Sequence, residues 1–215
     1  MEAKKTFWEF SKIETRDLLV SWITLSVAFA MILMNLELTT LLTGEFGSFP
    51  IMLAIPIAFV AVGTGFIFHE LAHRQAARHY GFVSEYRAWY QMLGLAVVFA
   101  FLTGWIIAAP GATYFFGKNV SRKQNGVISV AGPTVNIILG ISLLFISLIF
   151  TSELFKIILI SSARINFLFA LFNLLPIWIL DGKKVLAWNP KVWALAIIIP
   201  AIAILFPGLI FGFFI

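Results

Sequence analysis

Residues 69–73 read His-Glu-Leu-Ala-His. Two imidazoles spaced i, i+4 on a helix stack on one face, where both can grip a single metal ion. Glu70 is turned by about 100° from His69 on such a helix. That puts its carboxylate beside a bound metal and not on it, where it can take a proton from water and hand it to a leaving amine. Zn2+ suits two imidazoles and a carboxylate, lowering the pKa of its water to about 7 and polarising a carbonyl. His79 falls on another face, in a basic amphipathic stretch, and reads as an interfacial residue.

A catalytic zinc takes a third protein ligand and keeps a position open. The chain contains only two Asp, Asp17 near its start and Asp181 in the stretch PIWILDGKK, and Asp181 is the acid that the order of spans brings to the depth of His69. The same carboxylate can instead pair with Lys183 or Lys184, or make a turn with Gly182, so the ligand role has a plain competitor.

The elements that must hold these groups follow from composition. Of 215 residues, 61% are hydrophobic and 12% charged, which excludes an ordinary soluble domain. Apolar stretches recur near the roughly 20 residues that cross a hydrocarbon core. They fall at about 18–35, 50–73, 126–150, 157–180 and 192–214, with 88–112 as a further apolar segment. The expected fold is therefore an all-α polytopic membrane protein of about six membrane segments, forming one membrane-embedded domain over 1–215 with no PDZ or soluble domain. The absence of Cys excludes disulfides and thiolate metal sites.

Net charge is +5, but the basic residues lie in short loops and not in one patch, which points to topology and away from nucleic acid. Residues 1–17 mix charges of both signs around aromatics and read as an interfacial leader, not a cleaved signal. Lys4, Lys5, Lys12 and Arg16 place the N-terminus in the cytoplasm, and the connection around Glu37 and Glu45, which lacks Lys and Arg, lies outside. Residues 69–73 then return to the cytoplasmic end, followed by Arg74, Arg78 and Arg87. A full crossing by 88–112 would carry Lys118, Arg122 and Lys123 outside, so a re-entrant excursion is expected there, with Gly94, Gly104 and Gly111 at its turns.

The ordered set of motifs resembles the site-2 protease family of intramembrane zinc metalloproteases. It comprises His69 to His73, then Ala131-Gly132-Pro133 with Asn136, then Asn173-Leu-Leu-Pro176 running into Leu180-Asp181-Gly182. The resemblance covers about residues 50–190. It implies a catalytic core of three helices, zinc held by His69, His73 and Asp181, Glu70 as the base, and Asn173 as a polar group beside the site. The chain departs from the family pattern at Ile179 and Lys183, where a second Pro and another Gly are usual. The Gly-rich strand that often follows the H-E-x-x-H span is replaced by the long segment ending in Ala109-Pro110-Gly111-Ala112.

Asn136 and Asn173 sit in apolar spans where an unpaired amide is costly. Helix-to-helix hydrogen bonding is the simplest role for Asn136, and substrate binding or oxyanion support is the alternative for both. Pro176 lacks an N–H and disfavours helical Leu175, so the backbone there should open and can hold an extended peptide. Arg164, inside a span, should snorkel outward. The expected activity is hydrolysis of a peptide bond within a transmembrane segment of another membrane protein. The enzyme would lie in the lipid bilayer of the cell membrane with its site toward the cytoplasm. The competing function is a metal-binding transporter or receptor without hydrolysis, which would have no need to hold Glu70 unligated beside the metal.

Overall fold

The computed structural model describes residues 9–44, 50–106, 110–117, 119–212 and 214. Residues 1–8 of the leader, with Lys4 and Lys5, and also Glu45, Ala109 and Lys118, each used above, lie outside the described residues. The described elements run α1 (Lys12–Leu33), α2 (Leu38–Thr43), α3 (Ile51–Val62), a π-turn (Gly63–Ile67), α4 (Phe68–His79), β1 (Val83–Ala88), α5 (Tyr90–Thr103), β2 (Gly111–Phe116), α6 (Arg122–Ser147), α7 (Glu153–Leu174), α8 (Asp181–Trp188), α9 (Pro190–Leu205) and α10 (Pro207–Phe211).

Four helices are long and apolar enough to cross a membrane: α1, the continuous Ile51–His79 rod, α6 and α7. The apolar helices α5 and α9 are shorter. Local chemistry sets the ends. The Ser11 hydroxyl accepts from the Glu14 N–H to start α1, Ser121 and Gln124 close a capping box on α6, and the Asn189 side chain caps α9 with Pro190 in its first turn. Leu175, which precedes Pro176, is extended at ψ 131° and stops α7.

Small residues bring the helices together, as expected where lipid tails compete equally for apolar side chains. Ala54, Ala58 and Ala61 of α3 are fully buried. One cluster of buried apolar side chains joins α1 and α3 to the sheet and α5 through Leu25, Phe29, Val62, Tyr86 and Leu93. A second joins α6, α7 and α9 through Leu144, Phe167 and Ala203. Arg164 is exposed on α7, with its guanidinium 5.3 Å from the Phe211 ring centroid.

The helical class holds, with one addition that the all-α expectation lacked. β1 and β2 pair antiparallel from Val83↔Phe116 to Ala88↔Gly111. The N–H of Trp89 also donates to the carbonyl of Pro110 at 2.9 Å. The 88–112 segment thus leaves the sheet and comes back to it, so its two ends are neighbours, where a crossing would separate them by about 30 Å. The intervening α5, about 21 Å long at 1.5 Å per residue, is short of that thickness.

Candidate active site

His69 and His73 project from α4 as the i, i+4 spacing requires, and both are buried. The π-turn just before them adds a residue to the helical repeat and so re-aims α4 relative to α3; such insertions recur at functional sites. Gly65 within the turn is pressed against the Phe169 ring, where a Cβ would come to 2.5 Å.

Helix α6 supplies the backing. Gly132 faces both imidazoles, since a Cβ there would lie 2.5 Å from His73 Nε2 and 2.7 Å from His69 Nε2. The neighbouring turns of α6 orient the rings from behind. His69 Nδ1 lies 2.6 Å from Asn136 Oδ1, and His73 Nδ1 lies 2.8 Å from the Ile128 carbonyl. The Asn136 amide is fixed in this sense because its Nδ2 donates to the Gly65 carbonyl at 2.8 Å and to Asn166 Oδ1 at 3.0 Å. Oxygen acceptors at both Nδ1 atoms require N–H there, which leaves the Nε2 lone pairs for the cluster.

Asp181, at the start of α8, completes the group. Its Oδ2 lies 2.9 Å from His73 Nε2 and 3.6 Å from His69 Nε2, and the two Nε2 atoms are 3.0 Å apart. Donors at about 2.0–2.1 Å from a tetrahedral zinc are about 3.3 Å from one another, so this spacing fits a metal ion. The remaining oxygen, Oδ1, accepts from Lys184 Nζ at 3.2 Å. One carboxylate oxygen thus faces the two imidazoles and the other meets Lys184. Gly182 is needed beside it because a Cβ there would collide with the Leu174 carbonyl at the end of α7.

These residues line a cavity of about 340 Å³ together with Glu70, Thr113, Asn173 and Lys184. Glu70 is buried, and its Oε2 accepts from Thr113 Oγ1 of β2 at 2.7 Å. Asn173 lines the cavity with its Nδ2 donating to the Phe169 carbonyl. Asn136 does not line it: the residue is fully buried, with its amide engaged by His69, Gly65 and Asn166, so its place is behind the histidine and not against a substrate. Thr113 was missed from sequence, where a threonine in an apolar stretch carries no signal of its own. His79 is exposed and apart from the cluster.

Replacing Asn136 with Leu removes the acceptor for His69 and strands the Asn166 oxygen. Zinc affinity, measured by competition with a chromogenic chelator, should fall by about 10–100-fold.

A polytopic helical membrane protein with a buried His-His-Asp cluster and an adjacent Glu is the class that fold and site define. "Putative zinc metalloprotease MJ0611" of Methanocaldococcus jannaschii is 39% identical over 191 residues, covering 88% of this chain and 92% of that protein. The chain belongs to the zinc metalloprotease family of that relative. No protein-family profile matches it, and no solved structure does.

Proposed function

We propose that this chain is an intramembrane zinc endopeptidase that cuts peptide bonds within transmembrane segments of other membrane proteins. The observation that carries the reading is a three-donor cluster with Glu70 alongside, two of its donors and Glu70 on a helix long and apolar enough to span a membrane and the third, Asp181, brought to them by α8. His69, His73 and Asp181 would hold the zinc, which when bound supplies an acidified water and a polarised carbonyl. Glu70 takes the proton from the water onto its carboxylate and delivers it to the leaving nitrogen. Thr113 holds that carboxylate in place. Asn173 and the opened backbone before Pro176 stand along the same cavity, available to a peptide.

The register offers a further support for peptide binding. Residues 112, 114 and 116 turn their backbone groups to β1, so those of Gly111, Thr113 and Phe115 point the other way, and residues 111–115 of this strand line the cavity. An unwound substrate can add to that edge, and it must unwind, because helical carbonyls are engaged in their own hydrogen bonds. The site's basic residues favour a cytoplasmic placement. Arg74, Arg78 and Arg87, the starts of α1 and α6, and Lys183, Lys184 and Lys191 gather at the end that carries the cluster.

The test is cleavage in liposomes of a reporter protein carrying one apolar span with a central Gly-Pro. Scission inside the span that a zinc chelator abolishes and added zinc restores is the expected result. A reporter left whole by the zinc-loaded protein, or cut equally in chelator, would overturn the reading. In the same assay Thr113→Val should lower kcat by about tenfold with zinc content unchanged, as an untethered base spends less time aligned.

A further inference from the structure

The outer edge of β1 ought to be a liability. Its Tyr86 and Ala88 N–H groups point away from β2, and a bare strand edge invites another chain. Neither group is bare. The Tyr86 N–H donates to Glu14 Oε1 at 3.1 Å and the Ala88 N–H donates to Asp17 Oδ2 at 3.2 Å. Both acids come from the first turns of α1, spaced i, i+3 on one helix face. That spacing climbs about 4.5 Å along the helix, and side chains of unequal length extend it to the roughly 6.6 Å between alternate strand residues. Two carboxylates thus stand where a neighbouring strand would put its carbonyls.

The surroundings hold these acids in position. Glu14 is 0% exposed and Asp17 2%. Arg74, next in sequence to His73, lies 2.9 Å from Glu14 Oε1 through its Nε. Tyr90 donates its hydroxyl to Asp17 Oδ1 at 2.7 Å, and Ser21 Oγ is 2.9 Å from the Tyr86 hydroxyl. Burying two carboxylates at a helix end is expensive, and well-packed apolar side chains of similar volume are commonly as stable or more so. Apolar residues, however, could not answer the two strand N–H groups.

We propose that Glu14 and Asp17 are positioning residues for peptide binding, a carboxylate clamp that closes the β1 edge and fixes the sheet so that only the β2 edge is open over the cavity. The inference rests on the proteolytic reading above for its functional half. The structural half, that α1 locks the sheet, stands on the hydrogen bonds alone. The peptide class it serves is an extended, locally unwound segment.

The experiment uses the full chain, zinc-loaded in detergent, as wild type, Asp17→Leu and Asp17→Asn. Asn keeps an oxygen that can accept from Ala88; Leu does not. Hydrogen exchange of the 83–88 amides, zinc content, and kcat and KM toward a fluorogenic peptide with an apolar span and a central Gly-Pro are read on each. In Asp17→Leu, exchange should quicken by about tenfold and KM rise about fivefold with kcat within about twofold, while Asp17→Asn stays near wild type and zinc is unchanged. Unchanged exchange in Asp17→Leu, or a loss confined to kcat, overturns the proposal. Should Asp17→Leu fail to fold, Ala88→Pro removes the donor in its place at an edge where Pro is tolerated, and a wild-type KM there is equally fatal. If the zinc-loaded wild type cuts no peptide, the protease reading falls, and exchange alone decides the clamp.

Discussion

Glu70→Gln should abolish turnover, with kcat down by about 10²–10⁴-fold, while zinc content remains that of the wild type. The separation follows from the geometry. His69, His73 and Asp181 converge on one point, and Glu70 is not among the atoms that meet there. Gln is the same size and still offers an oxygen to the Thr113 hydroxyl, so packing around the base survives. What disappears is a group that can accept and return a proton. Cleavage rates in the liposome assay, set beside elemental analysis of the same preparation, measure both halves. A variant that cuts at the wild-type rate would remove Glu70 from the chemistry, and one that loses its zinc would make it a ligand.

The second large effect is on metal binding, from adding one methyl group. In Gly132→Ala the new Cβ would sit 2.5 Å from His73 Nε2 and 2.7 Å from His69 Nε2, against the atoms that must carry the lone pairs. Relief requires α6 to withdraw, and α6 also brings Ile128 and Asn136 to the two Nδ1 atoms. Both imidazoles thus lose their backing together. Zinc affinity should drop by more than about 100-fold, beyond the loss from a single outer partner. Gly140→Ala is the control: its Cβ would meet the Phe167 ring, so it should lower thermal stability and leave zinc affinity unchanged. Equal zinc affinity in Gly132→Ala and wild type would show that α6 does not press on the site.

How much of this was legible in the sequence varied with the range of the interaction. The His69, Glu70 and His73 placement depends on helix geometry within a single turn, and the structure reproduces it. Asp181, more than a hundred residues away, could be brought near only by counting spans and weighing loop charges; the structure puts it 2.9 Å from His73. The sheet was not read. β1 alternates buried Ser84 and Tyr86 with less buried neighbours, and β2 ends in the β-favouring Thr-Tyr-Phe-Phe, but each strand is six residues long and flanks a strongly apolar helix that dominates any hydropathy window. Glu14 and Asp17 looked like part of a polar leader, because their partners, Tyr86 and Ala88, are some seventy residues downstream. Asn136 could be placed within the membrane from sequence. Which of its neighbours it would serve depended on the π-turn, which brings the Gly65 carbonyl to its amide.

The polar contacts fall into two groups by chain position, and this bears on how the protein is made. Glu14 with Arg74, Asp17 with Tyr90, Ser21 with Tyr86 and the Trp22 indole with the Phe59 carbonyl all join partners within the first ninety residues. The His69 and His73 contacts instead wait for Ile128, Asn136 and Asp181. Because synthesis runs from the N-terminus, α1, the long rod and β1 can lock together while α6 to α8 are still on the ribosome. The His-His-Asp cluster then closes last, so a half-made chain carries its two histidines well before the carboxylate that completes the group.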